Sequence, residues 1–321
     1  FTANSSSSQE ATSLAQELTE TRAAQAALKP QVETILSRQV ELILRDEGFT
    51  TADQVFPPVA FRFVDPPTGL VLSPRDKIQN KHFVGLQPGL DSKRRAEIEG
   101  RLDQRGDVSS YITDIGGLGS YPTMVIGHAF LPYLINTIAH EWAHNYLYTF
   151  PTNIAWAYQT QPQLMTINET TATLVGEEIS RKVITRFYPD WVDQLPPVDD
   201  TGQALPAKPS EFFLTMRYIR QEVERLLAES KIEAAEAFME TERLKLVEKG
   251  YHLRKLNQAY FAFHGSYALS PGSIDPIGPQ IRQLRVASPS LKVFLHHVGW
   301  LNGYDDYLDW LDEVSRDPQN S

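Results

Sequence analysis

Residues 137–147 read Thr137-Ile138-Ala139-His140-Glu141-Trp142-Ala143-His144-Asn145-Tyr146-Leu147. Two histidines four positions apart lie on one face of an α-helix, about one turn from each other. So placed, both imidazoles reach a single zinc ion at about 2.0–2.1 Å. Glu141 sits roughly 100° further round the helix. From there its carboxylate meets a water on the metal without being a ligand, which is the position a general base needs. Ile138, Ala139, Trp142, Ala143 and Leu147 frame the motif with apolar side chains, so the helix is expected to be buried. Two histidines and a glutamate in a buried helix are costly unless something uses them. A chance match on a surface helix is the plainer alternative, and the apolar frame argues against it.

A catalytic zinc takes three protein ligands and keeps one position open. The metzincin arrangement, His-x-x-Gly-x-x-His from the second histidine, is excluded because its glycine and final histidine fall on Leu147 and Phe150. The next helical stretch is Thr166-Ile167-Asn168-Glu169-Thr170-Thr171-Ala172-Thr173-Leu174-Val175-Gly176-Glu177-Glu178. Here the chain resembles the gluzincin metallopeptidases, in which the His-Glu-x-x-His helix is followed by a helix bearing Asn-Glu, whose glutamate is the third ligand. The resemblance implies that role for Glu169 and matches Asn168 to the preceding position. It also implies a zincin-like fold, with a small mixed sheet whose edge strand lies above the site and a mainly helical C-terminal half. Thr173 and Gly176 share the helical face of Glu169, and small residues there let this helix approach the first closely. Many gluzincins carry an aspartate one turn after the ligand, which orients a zinc histidine. That position is Thr173, whose hydroxyl is a weaker orienter. Glu177 and Glu178 are the rival ligands, and a solvated helical face is their plainer reading. More loosely, Leu256-Asn257-Gln258-Ala259 is similar to a Leu-Asn-x-Ala segment in a group of bacterial aminopeptidases of the same clan. The close resemblance covers about residues 131–180.

The whole chain is compatible with such an enzyme. Its 321 residues are 41% hydrophobic and 22% charged, a globular composition with room for a core without staples. A formal net charge of −10 argues against a general nucleic-acid binder. With no cysteine present, disulfides, thiol catalysis and thiolate-held zinc are excluded. No apolar run is long enough to span a membrane. The start at Phe1, followed by a Ser-rich segment, reads as trimmed or processed. A removed signal or anchor, and with it an extracytoplasmic or membrane-anchored location, is one of two readings kept open.

Along the chain, residues 1–9 read as a flexible lead-in. Residues 9–45 read as two helices broken at Pro30, which lacks a donor. Between prolines 57 and 88, Val59–Val64 and Gly69–Leu72 alternate as strands. Asp91–Gly106 is a charged helix or turn. Tyr121–Ile126 is a strand, which Pro122 assigns to a sheet edge. Strong helical patterns cover 131–150, 166–188, 210–230 and 231–265, with a Pro/Asp/Gly-rich loop at 193–209 and one or two short helices within 288–314. Strands followed by helices predict an α+β fold. Three segments result: an N-terminal helical or linker segment 1–45, a catalytic core 46–190, and a helical subdomain 191–321.

The resemblance implies zinc-dependent hydrolysis of a peptide or protein substrate, with Zn2+ as cofactor and Glu141 taking the proton from the attacking water. Tyr260, His264 and Tyr267 lie at helical spacing and would face the zinc together as oxyanion donors; His264 and Tyr267 are the choices among them. An aromatic core helix with a bonded histidine is the equal alternative. Adjacent His296 and His297 point about 100° apart, which is a poor chelate, and read as structural. Gly116-Gly117-Leu118-Gly119 lacks the Gly-Lys-Ser/Thr ending of a phosphate loop. It reads either as a rim for strand addition by a peptide or as a hairpin turn. An aminopeptidase needs acidic groups beside the zinc to hold an ammonium, for which Asp114, Glu177 and Glu178 are candidates. Two other readings stand: a zincin-fold peptide-binding module that cleaves nothing, whose cleft Trp142 or the 193–209 loop would block, and a zinc hydrolase of a non-peptide bond.

Overall fold

Helix α1 (Ala3–Asp46) contains Pro30 and runs through it as one element, so the two expected helices are one. Pro30 is exposed, and the Ala26 carbonyl that its missing N–H leaves free can take water as its partner. The Ser-rich start is helical from Ala3 rather than a flexible lead-in, since adding residues to a nucleated helix costs little. This computed structural model describes residues 3–157, 160–197 and 210–316, with side chains from Thr12 onward.

After α1, β1 (Thr50–Thr51) and β2 (Gln54–Val55) pair as a hairpin. Then come β3 (Phe61–Phe63), β4 (Thr68–Pro74), β5 (His82–Leu86), α2 (Ser92–Asp103), β6 (Val108–Thr113), β7 (Gly117–Leu118) and β8 (Thr123–Val125). Asp91 caps α2 by accepting from the Arg94 backbone N–H at 2.7 Å. Strands β5, β4 and β6 form an antiparallel sheet. The mixed sheet has the order β3-β8-β7, with β3 parallel and β7 antiparallel to β8. Strand β8 is therefore central, not at the edge as Pro122 suggested. Pro122 precedes the strand by one residue, so the ladder never asks for its missing donor. The edges are β3 and β7, and β7 is part of the Gly-rich stretch.

The second half is helical: α3 (Leu131–Leu147), α4 (Asn153–Trp156), α5 (Pro162–Phe187), α6 (Glu211–Ala228), α7 (Ile232–Glu248), α8 (Gln258–His264), α9 (Ile277–Ala287), α10 (Leu291–Gly299) and α11 (Tyr304–Arg316). The single helix expected over 231–265 is two. Gly250 adopts φ +92°, where a side chain is strained, and this ends α7. Asn257 starts α8 by accepting from the Tyr260 N–H at 2.9 Å. Of the loop expected at 193–209, residues 198–209 lie outside the described residues. The fold is mixed α+β, 60% helical with small sheets.

The main core joins Leu36, Val40 and Leu44 of α1, the inward faces of α3 and α5, and residues of α9, α10 and α11. A second cluster joins α6, α7 and Tyr260 and Phe261 of α8. Helices α3 and α5 approach closely, as their small residues implied: a Cβ on Gly176 would lie 2.9 Å from the Asn136 carbonyl oxygen. Among the described residues, no helix is long and apolar enough to cross a membrane.

Candidate metal centre

The apolar residues around the His-Glu-x-x-His motif decide how α3 is oriented. Ile138, Ala139, Trp142, Ala143 and Leu147 are all buried, and the Trp142 indole N–H donates to the Pro57 carbonyl at 2.7 Å. With that face turned inward, His140 and His144 point together toward α5. Helix α5 brings Glu169 to meet them. The Nε2 atoms of the two histidines are 3.1 Å apart. Glu169 Oε2 lies 3.5 Å from His140 Nε2 and 3.6 Å from His144 Nε2. Ligands at about 2.0–2.1 Å from a tetrahedral zinc are separated by about 3.3 Å, so these three spacings fit one ion. Among the described residues this is the group of histidine and carboxylate side chains that could hold a metal.

The tautomer of His144 follows from its neighbours. Asn168 Nδ2 donates to the Ile154 carbonyl at 2.7 Å, which turns its Oδ1 toward His144 Nδ1, also at 2.7 Å. An amide oxygen only accepts, so Nδ1 carries the hydrogen and a neutral ring presents its Nε2 lone pair to the metal position. Glu169 Oε2 is buried and has no hydrogen-bond partner. A buried carboxylate oxygen without a donor is costly, and a cation between it and the two imidazoles removes that cost. The donor set of two imidazoles and one carboxylate also suits zinc.

Charge coupling tells the same story without a metal. Burial alone would make the His144 imidazolium more acidic, but the Glu169 carboxylate beside it lifts it to about 9. Burial would raise Glu169, and the adjacent imidazolium charge instead holds it well below the usual carboxylate range. Burial raises Glu141 above its ordinary value, against the pull of His140 and His144. A base shifted upward toward neutrality is better matched to proton transfer.

The Gly-rich stretch packs onto this face of α3. A Cβ on Gly117 would lie 2.5 Å from Glu141 Oε1 and 2.8 Å from Glu141 Cγ, and one on Gly119 would lie 3.4 Å from His144 Cβ. None of Gly116, Gly117 and Gly119 has a positive φ, so space, not backbone conformation, requires glycine here. This stretch, expected as a rim or a turn, also packs on Glu141, which its sequence alone does not indicate. The trace it leaves there is a cluster of glycines beside a strand without a turn-forming Asn or Asp.

Other expected residues divide. The Thr173 hydroxyl donates to the Glu169 carbonyl at 2.8 Å, closing on its own helix, so Asn168 orients the imidazole instead. Glu177 pairs with Arg282 at 3.3 Å, and Glu178 with Lys182 and Arg285 at 2.9 and 3.0 Å, so neither stands at the metal position. Both are held by cations instead of water alone. Helix α8 ends at His264, so Tyr267 does not share the helical spacing with Tyr260 and His264 that was expected of it. Tyr267 lies beside the centre, its ring 6.4 Å from that of His140. The His264 ring contacts Tyr111, Tyr260 and Phe263, and burial pulls it down to about 4. His296 and His297 pack against Trp300 and Trp310 as structural residues. No family model, curated protein or solved structure matches the chain.

Proposed function

We propose that the chain is a zinc-dependent peptidase of zincin type, with the gluzincin ligand set His140, His144 and Glu169. The observation that carries this is the buried, donor-less Oε2 of Glu169 facing two imidazole Nε2 atoms. Zinc bound there supplies Lewis acidity toward a carbonyl and makes water a nucleophile near neutral pH. Glu141 accepts the proton as a water O–H bond breaks and the carbonyl carbon is attacked. It then delivers that proton to the amine as the C–N bond breaks. Tyr267, whose ring lies 6.4 Å from that of His140, is the residue assigned here to donate to the developing oxyanion. His264, enclosed by aromatic rings, is left out of this scheme.

Trp142 does not obstruct the cleft, since its ring is buried and bonded to Pro57. That removes one support for a module that only binds. The test is zinc content per chain for the parent, Glu169→Ala and Glu141→Gln, with peptide turnover read alongside. The parent is expected to hold about one zinc. Glu169→Ala should lose it, and Glu141→Gln should keep it while losing turnover. A parent that takes up no zinc after reconstitution defeats the proposal.

A further inference from the structure

Helix α1 leaves an apolar stripe in water. Every residue from Thr12 to Leu28 is exposed. Along the helix Leu14, Leu18, Leu28, Val32 and Ile35 are between 36% and 60% exposed. The helix meets the body from Gln25 onward. Gln25 and Lys29 donate to the Gly127 and Phe63 carbonyls at 3.1 and 3.5 Å, and Glu33, Leu36 and Val40 are buried. Those three buried residues stand roughly 80° round the helix from the stripe, so the stripe runs past the body, not under it. A helix without packing is only marginally stable in water, and a partner along this stripe would supply the packing.

The spacing of the stripe says what kind of partner fits. Leu14, Leu18, Thr21, Gln25, Leu28, Val32 and Ile35 follow one another at intervals that alternate between four and three. That is the a/d pattern of a coiled coil, with Leu18, Gln25 and Val32 at a and Leu14, Thr21, Leu28 and Ile35 at d. Pro30 falls at f, on the outer face, where it leaves the seam untouched. Glu17 is then at g and Arg22 at e, five positions later. In a parallel pair a g residue faces the next e residue of the other helix, so two such helices make two Glu17–Arg22 pairs. Turned antiparallel, with Leu14 opposite Val32, the apolar positions would still match, but each Arg22 would meet its own copy. Charge therefore sets the direction.

We propose that α1 pairs with α1 of a second copy as a parallel coiled coil, which joins two bodies side by side. This surface is independent of the metal centre and of the peptidase reading. Thr21 and Gln25 face their own copies across the seam, and such polar layers fix register while weakening the dimer.

The full chain is examined by sedimentation equilibrium over about a hundredfold range of concentration, since association follows mass action. The parent is expected to pass from one to two chains per particle. Glu17→Arg replaces two attractive pairs by two repulsive ones and should weaken the dimer about tenfold. Adding Arg22→Glu to that variant should restore it. The chain has no cysteine, so Leu14→Cys introduces a single thiol. At a d position of a parallel pair it faces its own copy, and oxidation with copper phenanthroline should link two chains. Ala23→Cys, on the outer face, should link far less. All four positions are exposed, so the circular dichroism of the body should be unchanged in every variant. A parent that stays a single chain overturns the proposal. So does a Glu17→Arg chain that dimerises as well as the parent, or a dimer in which Cys introduced at position 14 links no better than at position 23.

Discussion

Asn168 uses both ends of its amide, Nδ2 on the Ile154 carbonyl and Oδ1 on His144 Nδ1. Truncation in Asn168→Ala frees the imidazole to rotate or change tautomer and leaves a buried carbonyl unpaired. Zinc affinity should fall about 10–100-fold, as for other lost partners of metal-bound histidines. Asn168→Asp keeps the acceptor toward His144 and should lose less. Equal affinity in all three proteins, by competition with a chelator, would remove Asn168 from the site. The same surroundings set a pH dependence for the metal-free protein. His144 is raised to about 9 from its ordinary 6.5, so its contribution to stability is full below about pH 6.5 and is lost as the pH rises through about 9. Glu169 is lowered, so its contribution is present above the ordinary carboxylate range and is lost only in acid. The melting temperature of the metal-free chain should therefore fall between about pH 7 and about pH 9.5. Zinc bound at this group would take the proton's place on His144, so a loaded protein should show little of that fall. A flat metal-free profile would refute the charge pairing. Of these residues, His140, Glu141 and His144 were legible in the sequence because a spacing of four is local to one helix. The role of Asn168 was not, because whether it or Thr173 reaches the imidazole depends on how α5 crosses α3.

At the scale of elements, β7 lies against α3 and leaves no room for a side chain at Gly117. A methyl group at Gly117 would lie 2.5 Å from Glu141 Oε1 and 2.8 Å from Thr137 Cγ2. Something must give, and the Glu141 carboxylate is the freer of the two neighbours. Displacing a reacting group by about 1 Å can cost about 100-fold in rate. Gly117→Ala is therefore expected to lower kcat by at least about tenfold while zinc content stays at the parent level. Parent-like kcat in a folded, zinc-loaded Gly117→Ala protein would show that β7 does not position Glu141. The elements themselves were unevenly legible. Helices α3 and α5 announce themselves by apolar periodicity and small contact residues. Pro30 misled because a proline breaks a helix only where the lost bond cannot be replaced, and this one is exposed. Pro122 misled because one residue of offset moves it out of the ladder, and strand order in a sheet is not a local property.

Across the whole molecule, the sheet that carries β4 to β6 is tied to the α6–α8 helices by several polar contacts, among them Arg75 with Glu236, Lys255 with Asp103 and the more buried pair of Glu99 with Arg254. The Glu99 side chain on α2 is 3% exposed, and Arg254 reaches it from the loop after α7 with two hydrogen bonds of 2.6 and 2.7 Å. Glu99 also accepts from the Ile112 backbone N–H at 2.6 Å, and Arg254 donates to the Ile112 carbonyl at 2.9 Å. The pair thus joins α2, β6 and the 249–257 loop at one point. Neither residue has a sequence signature, since they lie 155 positions apart and each looks like a surface charge. Removing the cation leaves a carboxylate that is buried and no longer matched. Losses of about 3–5 kcal/mol are typical for fully buried pairs. Arg254 keeps a side chain 30% exposed, so water can partly replace it and Arg254→Met should cost about 2–3 kcal/mol. Glu99→Gln in the same chain removes the stranded charge and keeps an acceptor for Ile112. The double variant should therefore be more stable than Arg254→Met alone, as read by urea unfolding followed by circular dichroism. If the two changes simply add, Glu99 and Arg254 are independent, and the tie between sheet and helices rests on the other contacts, Arg75 with Glu236, Lys255 with Asp103 and the packing of Tyr111 on Tyr260.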